Sequence, residues 1–190
     1  MFIQTEATPN PETVKFLPGR TVLEAGMLDC PDATSAAAQS PLAAAIFEVE
    51  GVARVFLGSD FISVTKVADM DWAHVKPFVL GAIMEHFVSG RPALVGAAPA
   101  SDSDQADIAY EGEAAEIVEQ IKDLIETRVR PAVAQDGGDI VFRGFEQGVV
   151  LLHMQGACSG CPSSTATLRM GIENMLKHYI PEVTAVRAVQ

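Results

Sequence analysis

From Pro92 to Gly112 the chain reads PALVGAAPASDSDQADIAYEG, a run of Ala, Pro, Ser and Asp with no apolar period. Such a stretch buries too little apolar area to offset the entropy of ordering it. It predicts a flexible acidic linker over residues 92–112. The 190 residues then divide into an N-terminal domain, 1–91, and a C-terminal domain, 113–190. Each is large enough to fold, though small. No internal repeat relates the two.

In the first half, Phe2–Ala7 and Thr13–Leu17 read as strands, parted by Pro9, Asn10 and Pro11, which cannot continue a ladder. Ser40 ahead of Pro41 pairs a capping residue with a proline at the first helical position, which predicts a helix running to Gly51. Val52–Leu57 and Phe61–Val67 form a predicted hairpin about Gly58-Ser59-Asp60. A second helix is predicted over 71–89. Val75, Phe78, Val79, Ile83 and Phe87 share one helical face; Trp72, Phe78 and Phe87 are read as core in preference to a partner-docking face, and Pro77 predicts a kink or a late start. The order ββ-α-ββ-α predicts a small α+β domain.

In the second half, Ile117, Ile121, Leu124, Ile125 and Val129 recur at helical spacing, predicting an amphipathic helix over 113–130 that Pro131 bends or ends. Asp136-Gly137-Gly138-Asp139 reads as a turn, with the aspartates as turn-formers and the glycines supplying backbone freedom. Ile140–Phe145 and Val149–Met154 make a hairpin, Pro162 opens a helix, and Glu182–Val189 is a last strand. The predicted fold class is α+β: two small α/β-sandwich-like domains, the second of α-β-β-α-β order.

The chemistry is concentrated in Cys158-Ser159-Gly160-Cys161-Pro162, between a strand and a helix. Two intervening residues let both sulfurs face one metal, and Gly160 relieves crowding. The unpaired amides and positive dipole end of the following helix predict a lowered thiolate pKa. Three chemistries fit. A thiol–disulfide oxidoreductase also places its pair between strand and helix, although here a hairpin leads in rather than a βαβ unit. A zinc-stabilised interaction module needs two further ligands, for which His153 and His178 are available. However, His153 lies in an apolar strand run, and His178 stands about four turns along the helix. An iron–sulfur cluster takes four thiolates in most sites; one chain offers two, and two chains about a two-fold axis offer four. That reading is preferred, and it makes the chain a homodimer on cluster binding. Cys30 reads as a small buried hydrophobe. No acid–base constellation is visible, so the chain is read as a non-enzyme.

A net charge of −12 with no basic run excludes nucleic acid and an anionic membrane surface as partners. No apolar run approaches the roughly 20 residues of a bilayer span. The opening MFIQTEATPNPETVKF has neither the pattern of a secretion signal nor the Arg-rich composition of a transit peptide, which predicts a cytoplasmic location.

RPAVAQDGGDIVF followed by GVVLLHMQGACSGCPSSTATL resembles the C-terminal NifU-type domain of the Nfu iron–sulfur proteins. TEATPNPETVKFLPG and the helix around Trp72 resemble the N-terminal Nfu domain that accompanies it. DGGD together with GxCxxCP is far more specific than CxxC alone. The resemblance implies a scaffold or carrier that holds a [4Fe–4S] cluster bridged between two subunits, with a [2Fe–2S] form left open, and passes it to apo-proteins. It implies Cys158 and Cys161 as the cluster ligands. It implies apo iron–sulfur client proteins and upstream cluster-assembly proteins as partners.

Overall fold

A computed structural model describes residues 2–96, 110–159 and 162–189, the side chains of 162–164 excepted. The chain forms two compact units, Met1–Ala100 and Ser101–Gln190. Each lays helices on one face of a sheet, so the α+β class holds.

The first unit has strands β1 (Gln4–Ala7), β2 (Thr13–Leu17), β3 (Leu28–Cys30), β4 (Val52–Leu57) and β5 (Ile62–Lys66). They form an antiparallel sheet in the order β1-β2-β5-β4-β3. Helices α1 (Ala33–Gln39), α2 (Pro41–Phe47) and α3 (Trp72–Ser89) contribute Ala36, Leu42, Ile46, Val75, Val79 and Ile83 to one core with Phe16, Val55, Leu57, Ile62 and Val64. The period-two alternation of strands explains the selection: Phe56 and Lys15 fall on the other face, where Lys15 lies over the Phe61 ring. Asp32, Ser40 and Asp71 cap α1, α2 and α3 through their side chains. Gly90, left-handed at φ +67°, ends α3.

Sequence reading missed β3 and α1. The segment DATSAAAQ has no apolar period, and its helix is set by the Asp32 cap and by burial of Ala36. Phe78 is a correction: it is 68% exposed, while α3 buries Val75, Val79, Ile83 and His86 instead. Pro77 neither delays nor ends α3. It sits near the helix start, where it removes one bond to an early carbonyl.

The second unit begins with α4 (Glu113–Leu124), a π-helical turn (Ile125–Val129) and α5 (Arg130–Gln135). Helical structure thus runs past Pro131. The wider π turn bonds the Arg130 amide to the Ile125 carbonyl, and Pro131 falls in the first turn of α5, where its missing N–H is tolerated. β6 (Gly138–Glu146) and β7 (Val149–Gly156) form an antiparallel hairpin about Gln147 and Gly148, both at positive φ. α6 (Pro162–Tyr179) then crosses over to β8 (Ala185–Val189), which lies parallel to β7. Val118, Ile121, Val133, Ile172 and Leu176 cover Ile140, Val150, Leu152 and Val186 in one core.

Residues 97–109 of the expected linker lie outside the described residues. Its ends are packed. Ala93 and Leu94 lie on the first core, the Ser40 hydroxyl donates to the Ala93 carbonyl, and the Val95 amide donates to Gln39 at 2.8 Å. Tyr110 packs on the second core, and its hydroxyl accepts from the Phe145 amide at 2.7 Å.

Candidate functional site

The hairpin register carries the DGGD segment to the cysteine loop. Asp136 caps α5, and Gly137 turns left-handed at φ +80°, a conformation that favours glycine. Gly138 then pairs with Gly156 and Asp139 with Gln155, so β6 begins where β7 ends. The Ala157 amide donates to the Gly137 carbonyl at 3.1 Å, tying the turn to the loop.

Gly138 does a different job from the one expected of it. A Cβ there would stand 2.6 Å from the Cys158 Sγ and 2.7 Å from the Gln155 carbonyl oxygen. The glycine therefore makes room for the thiol; of the two glycines of DGGD, only Gly137 stands at positive φ. DGGD and the turn that carries Cys158 are one packed unit.

Cys158 is 6% exposed and belongs to the second core. Its thiol is pushed up to about 12, first by burial and then by the negative charges of Asp136 and Asp139. The expected lowering by the helix end is overturned, because desolvation of the sulfur outweighs it. The loop is pinned from both sides. The Ser159 hydroxyl and amide both donate to the Gly156 carbonyl, at 2.8 and 3.1 Å, and the Thr165 hydroxyl donates from α6 to the Cys158 carbonyl at 3.0 Å.

Below the turn, Asp139 is 2% exposed and receives two bonds from Arg130, Nε to Oδ1 and Nη2 to Oδ2, each 2.8 Å. Arg130 Nη1 also donates to Glu126 at 2.7 Å, and the Asp139 bonds raise the guanidinium pKa further. Asp139 thus anchors β6 to α5. Arg130 escaped sequence reading, since an arginine ending an amphipathic helix reads as solvated; its cue was the position one residue before Pro131.

Cys161 lies outside the described residues. His153 turns its Nδ1 to the Val189 carbonyl at 3.1 Å, and His178 stacks edge-on against Tyr179. Among the described residues no three His, Cys, Asp or Glu side chains gather as a metal site, and no helix is long and apolar enough to cross a membrane. Cys30 is buried in the first unit, its thiol also pushed up to about 12 by burial and by Asp29 and Asp32.

Two family models match the chain: the scaffold protein Nfu/NifU N-terminal family over residues 3–90, and the NifU-like domain over residues 121–187. The chain belongs to the Nfu family. Among Nfu-family relatives, the NifU-like protein 4, mitochondrial, of Arabidopsis thaliana is 50% identical over 98% of this chain and 65% of its own length. The NFU1 iron-sulfur cluster scaffold homolog, mitochondrial, of Homo sapiens is 47% identical over 100% of this chain and 72% of its own. The chain thus spans about two thirds of the length of such relatives. A solution structure of a NifU-like protein from Saccharomyces cerevisiae aligns with 51% of this chain and 87% of its own, at 22% identity and a TM-score of 0.46.

These names correct the expectation of a cytoplasmic location, since the relatives are mitochondrial proteins. The physical reason is that cellular addresses are read from processing segments, and the composition of folded domains carries no such address.

Proposed function

We propose that the protein is an iron–sulfur cluster carrier. Cys158 and Cys161 of each of two subunits hold a bridging [4Fe–4S] cluster, which is cargo passed on to apo-proteins. The observation that carries this reading is the fit of Gly138 to the Cys158 thiol, which makes a specialised cysteine seat out of two separate motifs. Family membership and the scaffold name of the human relative support it.

Two thiolates per chain leave a four-thiolate cluster half ligated, so a second chain completes it. The seat holds the free thiol protonated inside the core. Ligation requires the 157–159 turn to present it outward. A cluster so held is open to stepwise exchange with an incoming thiolate, and no acid–base catalyst is called on.

The β6–β7 hairpin that leads into the cysteine turn, in place of a βαβ unit, speaks against a thiol–disulfide oxidoreductase. Among the described residues Cys158, His153 and His178 do not gather as a metal site, which speaks against a zinc module built on the two histidines.

The test is anaerobic reconstitution with iron and sulfide, followed by measurement of iron, acid-labile sulfide, zinc and mass in solution. About four iron and four sulfide per two chains is expected. A full cluster on a single chain, or stoichiometric zinc in its place, overturns the reading.

A further inference from the structure

A groove between α2 and α3 in the first unit plays no part in the site above. It encloses about 960 Å³, at the upper end of ligand-pocket volumes. Its lining includes the apolar side chains of Ala45, Val49, Met70 and Ala82, with the exposed Phe78 ring beside them. Glu48, Glu50, Asp69, Asp71 and Glu85 also line it, and no Lys or Arg does. Among the described residues none of these five carboxylates forms an ion pair.

Gly81 adds an independent observation. It lies in the middle of α3 and lines the groove. Glycine in a helix interior costs about 1 kcal/mol relative to alanine. A Cβ at this position would meet nothing within 4 Å. Nothing inside the unit therefore calls for a glycine, and its bare backbone at the groove leaves room for another chain to approach closely.

We propose that this groove docks a basic amphipathic helix of another protein. Its apolar side chains lie on Phe78 and Met70, its backbone passes close over Gly81, and its Lys and Arg side chains meet the five carboxylates. Charge selects this occupant. The segment joining the two units carries Asp102, Asp104 and Asp107 and no cation, so it does not fit its own groove. A second copy of the chain has no basic run to bring to these five carboxylates. Anionic lipid is refused because it meets like charge in the groove.

The test uses the full chain and a dye-labelled Leu–Lys peptide of about 18 residues, long enough for five helical turns, read by fluorescence anisotropy. A Leu–Glu peptide of the same pattern is the control. The Leu–Lys peptide should bind, more weakly as salt rises, and the Leu–Glu peptide should not. Gly81→Met should lower affinity about tenfold with melting temperature unchanged or higher, and Gly81→Ala should lower it less. Glu48→Lys combined with Glu85→Lys should lower affinity at least as far. Failure of the Leu–Lys peptide to bind overturns the proposal. So does equal affinity of wild type and both Gly81 variants, which keep every charge and would reveal unspecific attraction to an acidic chain. The readout needs no cluster, so its outcome is independent of the carrier reading.

Discussion

Cys30 and Cys158 are both buried, and burial pushes both thiols up to about 12. Each also has an Arg–Asp pair close by: Arg54 with Asp29, Arg130 with Asp139. The backbones differ. Cys30 sits in a ladder, opposite Val55, with β4 paired to it. Cys158 sits in a turn between β7 and α6, and its sulfur is seated against a glycine of β6. Burial and acidity therefore do not separate a packing cysteine from the one proposed to hold cargo. What separates them is the backbone: a turn can rotate its side chain outward, and a strand cannot without breaking its ladder.

The sharpest way to break this contrast is cluster loading. Cys158→Ser should abolish iron and sulfide uptake on reconstitution, and Cys30→Ser should leave it intact. Iron retained by Cys158→Ser would erase the distinction. Reactivity comes next. In the metal-free chain at pH 9, Cys30 should alkylate on the order of a thousandfold more slowly than a free thiol, because a thiol with a pKa near 12 is almost wholly protonated there. Mass spectrometry of iodoacetamide-treated protein checks this, and Cys158 should label faster than Cys30 because its turn opens more readily.

The same shift has a sign in stability. The Cys30 thiol ionises near 9.0 when unfolded and near 12 when folded. Across that window the unfolded chain binds fewer protons, so the first unit loses stability as pH rises from about 9 towards about 12. Cys30→Ala should flatten that decline in denaturant melts.

Smaller effects sharpen the contrast. Arg130→Gln strands the buried Asp139 carboxylate and should cost about 3 kcal/mol, the low end for a broken buried pair because Arg130 is partly exposed. Arg54→Gln, beside the more exposed Asp29, should cost about 1 kcal/mol. Gly138→Ala should cost about 1–3 kcal/mol through overpacking against Cys158. Gly171→Ala, in α6 with nothing within 4 Å, should instead stabilise by up to about 1 kcal/mol. Urea melts distinguish these signs.

Much of the fold is legible because local rules act locally. Ser40-Pro41, the strand Thr13–Leu17 and the Gly148 hairpin follow from capping, alternation and turn chemistry within a few residues. α1 is not legible, because an alanine-rich segment announces no buried face. Phe78 misled because it stands three residues after Val75, at helical spacing, yet α3 turns it to solvent. Cys158 could be placed between a strand and a helix, since the signals for both lie close along the chain. The neighbour it requires could not, since Gly138 and Cys158 meet only through the β6–β7 register.

By itself, then, the amino-acid order determined the strand and helix periods, the two-part division and the turn that carries Cys158, since each depends on residues close along the chain. The tertiary structure alone decided that Gly138 is a seat for a thiol, that Asp139 is an anchor held by Arg130, and that burial keeps Cys158 protonated. Those facts depend on desolvation and on contacts between elements, and these exist only once the chain has closed on itself.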